Sequence, residues 1–288
     1  MDRKAKAARP RSGRIADLDR DPPAPIPRYH VTVGSGPPLP SGVLPLPGLR
    51  RWPMAKTQPI QSENRLLAGL PPAEYRRLLP RLEAVALPFR QVLYPAGGPI
   101  DFVYFPSRGV VSIVAVLANR RTIEVGLCGR EGAVGAAAVL GDPTAPYRTL
   151  VQVEGDGVRI GIDGFRDAAG PGGALHRVLA RYHAAFLIQT AQSVACNGLH
   201  TVQQRCCRWL LMTMDRMRDE SFGLTHEFLG KMLGVRRASV SEVLQPLQAR
   251  GLVGHSRGRV TIRDRTGLEA TACECYSFVR GQFDRLLP

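Results

Sequence analysis

Histidine is absent from residues 92–163 of this 288-residue chain. A metal-dependent β-barrel enzyme would set two or three histidines and a carboxylate on neighbouring strands, so that chemistry has no ligands here. The same stretch holds no G-x-S-x-G elbow, P-loop or G-x-G-x-x-G run. "GREGAVG" (129–135) looks like a phosphate-cradling loop but lacks the Lys-Ser/Thr that would follow. The sequence therefore argues against an enzyme. Long apolar runs are also missing: none approaches the roughly 18 residues needed to span a bilayer. The Arg-rich start leads into prolines, not an apolar stretch, so no signal peptide is read. The expected location is the cytoplasm, with no membrane partner.

Cysteine is scarce. Cys128, Cys196, Cys206, Cys207, Cys273 and Cys275 are too few for a disulfide scaffold in a chain of this length. No CxxC pair occurs, and no histidine lies at zinc-ligand spacing from a cysteine pair. In Cys273-Glu274-Cys275, neighbouring side chains on a helix would diverge. The expectation is small, semi-buried thiols and no metal, with redox sensing or metal capture as the lesser alternative. Acid is also short: 39 Lys+Arg against 24 Asp+Glu leave a net charge of +15. That excess favours a polyanionic partner, either nucleic acid or an anionic membrane surface.

Almost half of the prolines fall in residues 1–53, in stretches such as "GSGPPLPSGVLPLPGLRRWP" without apolar periodicity. Residues 1–60 are expected to be a disordered Pro/Arg-rich tail. Met54 is a candidate start, and the competing reading is a basic tail that adds DNA affinity. From Ser62, "SENRLLAGLPPAEYRRLLPRLEAV" suggests two short helices burying Leu66, Leu67, Leu70, Leu78, Leu79 and Leu82. "QVLYPAG", "DFVYFPSRGVVSIVAVL", "RTIEVGLCG" and "RTLVQVEGDGVRIGID" then read as strands of an antiparallel sandwich or roll. Exposed aromatics for RNA would be Tyr94, Phe102, Tyr104 and Phe105, but alternation puts most of them in the core. From Ala174 the period becomes helical for over forty residues, with only Gly198 breaking it. Leu175, Val178, Leu179, Tyr182 and Phe186 share one face, expected to pair with a second copy.

The most informative stretch is 224–253, "LTHEFLGKMLGVRRASVSEVLQPLQARGLV". Thr225 can cap a helix that buries Phe228, Leu229 and Met232. Gly234 suits a tight turn needing φ > 0, and a second helix follows from about Arg237 to Arg250. Its core face is Val240, Val243, Leu244 and Leu247. Arg236, Arg237, Ser239, Ser241, Glu242 and Gln245 point away, as a recognition helix in the major groove requires. Pro246 removes one helix hydrogen bond and should bend the last turns, leaving base reading to residues 236–245. "GLVGHSRGRVTIRD" reads as a β-hairpin wing carrying His255, Arg257 and Arg259. An ordinary αα-hairpin is the bland alternative. The polar tips, the charge and the wing favour DNA.

With "GREGAVG", "RCCRWLL" and the 224–253 segment in this order, the chain resembles the Crp/Fnr family of bacterial transcription regulators over about residues 61–288. The implied fold is α+β: an N-terminal antiparallel, jelly-roll-like β-roll sensor (61–172), a long dimerisation helix and linker (173–218), and a C-terminal winged helix-turn-helix (219–288). The implied partners are double-stranded DNA read as a palindrome by a homodimer, with RNA polymerase a further candidate. Arg237 matches the family's guanine-reading arginine, whereas Ala238 and Glu242 depart from the usual acidic and second Arg positions. In the sensor, Arg148-Thr149 matches a cyclic-phosphate site and Thr190 a base-contacting position. The ribose glutamate is missing, and Glu131 lies before the glycine. No cofactor is implied: cyclic nucleotide is disfavoured, and an iron–sulfur cluster lacks N-terminal cysteines. Haem on His176, His183 or His200, a ligand-free regulator, and a docking or nucleotide-sensing module without specific DNA readout remain alternatives.

Overall fold

The computed structural model describes residues 63–119, 121–217 and 219–288. The Pro/Arg-rich tail and the start at Met54 lie outside the described residues. Asn64 caps α1 (Arg65–Ala68), its side chain accepting from the Leu66 and Leu67 amides, and α2 (Pro72–Leu78) follows. Leu66, Leu67, Leu70, Leu78 and Leu82 are buried as expected. The helical reading does not extend through Val85, because Glu83–Leu87 is a strand, β1.

The sheet is antiparallel throughout and built on two long strands, β4 (Phe102–Val116) and β7 (Arg148–Gly161). The path runs β1-β7-β4-β5, where β5 is Thr122–Cys128, and β2 (Val92–Tyr94) adds to β7. A ribbon of β3 (Gly98–Pro99) and β6 (Thr144–Ala145) completes the roll. Both long strands bend where the register shifts around Arg108. Gly109 has φ 91° there, and a Cβ on Gly155 would lie 2.2 Å from the Arg108 carbonyl oxygen. Only glycine allows the two backbones to cross this closely.

After α3 (Ile162–Ala168), α4 runs over Ala174–Leu199, a length of about 39 Å. Its first turn is held from outside, by the Glu74 carboxylate accepting the Ala174 amide at 2.8 Å. The forty-residue helical run is in fact two helices. His200 and Thr201 are extended, and Thr201 opens α5 (Val202–Arg216) with a capping box to Gln204. Two short helices and a hairpin follow, described below, and then α8 (Arg265–Thr271) and α9 (Cys275–Leu286), which the sequence reading did not anticipate. The chain end returns to the roll, where Arg65 Nε donates to the Pro288 carbonyl at 3.0 Å. No helix among the described residues is long and apolar enough to cross a membrane.

Candidate nucleic-acid interface

Thr225 accepts the Phe228 amide at 3.2 Å and starts α6 (His226–Leu233), which buries Phe228, Leu229, Met232 and Leu233. Gly234 takes φ 68°, the left-handed turn that a side chain would resist. Gly230 is needed too, since a Cβ there would sit 3.0 Å from the Val235 carbonyl oxygen. α7 (Arg237–Ala249) buries Val240, Leu244 and Leu247 and continues past Pro246. Arg236, Arg237, Glu242 and Gln245 are exposed on its outer side, with Ser239 half-buried beside them.

The wing is β9 (Val253–Ser256) and β10 (Arg259–Ile262), joined through Arg257 (φ 49°) and Gly258 (φ 75°). Positive φ at both central residues is the twist-matched two-residue hairpin. A third strand, β8 (Ser221–Gly223), lies on the other side of β10. Arg257 is exposed at the tip, and Arg259 is exposed while donating to the Ser221 carbonyl at 3.0 Å. Two expected contact residues are engaged internally instead. Ser241 Oγ lies 2.8 Å from His226 Nδ1, and His255 Nε2 lies 3.2 Å from the Leu224 carbonyl oxygen. The His226 and His255 rings pack against each other at a 39° tilt, with centroids 4.6 Å apart. Burial, then His255 and Arg237, push His226 below the usual histidine range. The joint fixes the angle between wing and recognition helix. Between them lies a groove of about 520 Å³ whose lining includes Gln248, Arg257, Arg259 and Arg263. Gln248 and Arg263 were missed in the sequence. Gln248 was detectable, three residues beyond Gln245 on the same helical face.

The sensor residues are not brought together. A cavity of about 170 Å³ in the roll is walled mostly by apolar groups, among them Tyr94, Ile100, Ala136 and Phe186. Thr149 lines it, but Arg148 is exposed outside it, and the Thr190 hydroxyl donates to the Phe186 carbonyl at 3.1 Å. Glu131 is buried against Arg216, 2.8 Å from its Nε, and accepts the Gly129 amide at 3.1 Å. This cavity therefore lacks the charged groups that would hold a cyclic phosphate. His183 also lines it, with a buried Nε2 that has no partner among the described residues.

The expected pairing face needs correction. Leu175, Val178, Leu179 and Tyr182 are buried within the chain's own core, and Phe186 packs against that core. The opposite stripe of α4 is exposed: Ala180, Ala184, Leu187, Ala191, Val194 and Gly198, with Leu187 at 68% and Val194 at 71%. Steps of four and three residues make this stripe a heptad seam. α4 is apolar on two sides, and periodicity alone does not say which side meets the sheet.

Glu124 on β5 joins the roll to α5. Trp209 Nε1 donates to its Oε1 at 3.0 Å, and Ser112 Oγ lies 2.6 Å from its Oε2. Burial raises this carboxyl from 4.5 to about 7, against the opposing pull of both hydrogen bonds. The folded state then binds a proton more tightly than the unfolded chain. Stability is fully present below about 4.5 and is lost as pH rises through about 7. Urea unfolding at the two ends of that window should differ by on the order of 2 kcal/mol more for the wild type than for Glu124→Gln. Equal pH slopes would contradict it.

The cysteines also differ from expectation. Cys128, Cys206 and Cys207 are separate buried thiols, but Cys196, Cys273 and Cys275 meet beside His200 at the end of α4.

A helix-turn-helix with a basic wing, attached to an antiparallel roll through long helices, defines a DNA-binding transcription regulator. Residues 204–271 match the model of the Crp-like helix-turn-helix domain. A CRP-family transcriptional regulator from Thermus thermophilus is 25% identical, covering 66% of this chain and 96% of its own, with a TM-score of 0.55. FixK2 from Bradyrhizobium japonicum is 18% identical over 67% of this chain and 98% of its own, with a TM-score of 0.57. The c-di-GMP responsive regulator CLP from Xanthomonas campestris is 18% identical over 66% and 98%, with a TM-score of 0.52. A search of curated proteins finds no match. The chain thus carries a Crp-like helix-turn-helix domain, and its fold, an antiparallel roll, helices and a C-terminal helix-turn-helix, is the one expected from the sequence.

Proposed function

We propose that two copies pair along the Ala180–Gly198 seam of α4 and bind a palindromic DNA site in the cytoplasm. Arg237, Glu242 and Gln245 read base edges in the major groove. Arg236, Ser239, Arg257 and Arg259 set phosphate contacts and register, joined by Gln248 and Arg263 from the groove. Ser241 and His255 act through the joint that angles the wing. The observation that carries this reading is the shared outer exposure of Arg236, Arg237, Glu242 and Gln245 on a helix whose other side is core.

Arg237→Ala is expected to cost about 1–3 kcal/mol on the true site and to blur one base position. Arg257→Ala should weaken all sequences alike and reduce the salt slope by about 1. Equal loss on every sequence for Arg237→Ala, measured by titration at fixed salt, would make it a phosphate contact only. For the sensor, the apolar cavity supports a small uncharged ligand of about benzene size, anchored by His183 Nε2. The site is far smaller than a haem or a nucleotide requires. Isothermal titration with indole or benzene tests this, and tighter binding of a cyclic nucleotide would oppose it.

A further inference from the structure

Four donor side chains converge where α4 ends and α9 begins. Cys196 Sγ, His200 Nδ1 or Nε2, Cys273 Sγ and Cys275 Sγ all lie within 4.8 Å of one another. Cys196 and Cys273 are 3.5 Å apart, as are Cys275 Sγ and His200 Nδ1. Around one tetrahedral zinc ion, bond lengths of about 2.3 Å to sulfur and 2.0–2.1 Å to nitrogen give sulfur–sulfur edges of about 3.8 Å and sulfur–nitrogen edges of about 3.6 Å. The two edges of 3.5 Å lie close to these values, and the 4.8 Å bound on the whole set suits a single ion. An iron–sulfur cluster would hold its thiolates farther apart, because each binds a different iron.

The local folding explains the convergence. Cys196 and His200 are four residues apart, so they share one face of the last turn of α4. Cys273 and Cys275 do not diverge as two residues inside a helix would. Glu274 is the N-cap of α9, which leaves Cys273 in the preceding loop and makes Cys275 the first helical residue. The thiols are nearly or fully buried (Cys196 0%, Cys273 4%, Cys275 0%) and form a cluster apart from the main core.

The surroundings are those of a metal's outer shell. His200 Nε2 lies 3.2 Å from Glu274 Oε1, which turns Nδ1 toward the sulfurs. A ligating histidine usually gives its second ring nitrogen to a carboxylate in this way. Gln192 Nε2 donates to Cys275 Sγ at 3.1 Å, a bond that suits a thiolate. Packing of small thiols alone would explain neither the carboxylate on the imidazole nor the donor on the sulfur.

We propose that Cys196, His200, Cys273 and Cys275 bind one zinc ion. Binding releases the three thiol protons to solvent and leaves the imidazole neutral. Four protein ligands close the coordination sphere, so the ion is structural and has no position open for catalysis. It staples the end of α4 to the α8–α9 junction and so fixes the C-terminal helices on the helix that carries the exposed seam. Donor chemistry selects zinc among divalent ions: three thiolates and one imidazole in a tetrahedron exclude magnesium and calcium.

The test uses the full chain, purified in reductant without a histidine tag, and elemental analysis of its metal. About one zinc per chain is expected. After chelation, Co²⁺ should give the visible d–d bands of a tetrahedral site and thiolate charge-transfer absorption. Cys196→Ser and His200→Ala should lose the metal, whereas Cys206→Ala, away from the cluster, should keep it. Glu274 is exposed, and Glu274→Ala should leave the fold intact and weaken zinc about 10–100-fold in competition with a chromogenic chelator. Chelation should lower Tm, and zinc should restore it. Absence of both retained zinc and a tetrahedral cobalt spectrum in the reduced wild-type chain would overturn the proposal. Unchanged metal content in both Cys196→Ser and Cys273→Ser would do the same.

Discussion

Replacing Leu187 and Val194 together by glutamate is expected to convert the proposed dimer to a monomer and to lower affinity for a full palindrome by about 100–10,000-fold. Both side chains stand at the centre of the exposed seam, flanked by Ala184 and Ala191, whose small size lets two helices approach closely. Placing four like charges across such a seam costs both the apolar contact and the desolvation of the carboxylates. The loss in DNA affinity follows because a second half-site engaged by a tethered partner binds at high effective concentration, which a monomer forfeits. Both residues are largely exposed on the single chain, so the monomer should keep its circular dichroism spectrum and its weak half-site binding. Analytical ultracentrifugation and titration on whole and half sites check both parts. A dimer that survives the substitutions would move the interface elsewhere. So would an equal loss after substituting the inward-facing Val178, provided the fold is retained.

Glu131→Ala is expected to destabilise the chain by about 3–5 kcal/mol, or roughly 10 °C in Tm. The pair it breaks is buried on both sides, with side-chain exposures of 7% for Arg216 and 8% for Glu131. Arg216 is fixed further by Nη1 on the Met212 carbonyl and Nη2 on Gln189 Oε1, each at 2.8 Å. These bonds hold it in place when the carboxylate is removed, so its charge stays largely buried and loses its partner. Because Glu131 lies in the loop after β5 of the roll and Arg216 ends α5, the pair latches the roll to the helix that leads into the DNA-binding part. The double change Glu131→Ala with Arg216→Met should recover much of the loss, since no charge is then left behind. Chemical unfolding of the three variants decides it, and a single-variant loss below about 1 kcal/mol would mean that Glu131 is hydrated.

The helix-turn-helix was legible because its signals are local. A capping threonine, a left-handed glycine and an apolar period fall within 30 residues, and each fixes its own neighbourhood. The long strands were legible from β-branched runs punctuated by glycine, although β1 hid behind a helical pattern. What the sequence concealed depends on which surfaces meet. Leu187 and Val194 look no different from Leu179 and Tyr182 until the sheet covers one side of α4. Ser241 and His255 have the side chains of DNA contacts, yet His226 and the Leu224 carbonyl hold them inside. The break at His200 was visible as the Thr201–Gln204 capping box, set against an apolar run that favoured continuity. Cys196 and Cys273 are 77 residues apart, and only the return of α9 along α4 makes them neighbours.

Selection of bound duplexes from a random DNA pool by the full-length chain tests the central reading most directly. Salt of about 0.1–0.15 M keeps non-specific phosphate contacts weak enough for base contacts to decide retention. The expected result is an enriched palindrome whose half-sites lie about one helical turn, near 34 Å, apart. Repeating the selection with Glu242→Ala should relax one position in each half-site. Retention of all duplexes alike, or enrichment of a single unrepeated motif, would contradict a dimeric reader of a two-fold site.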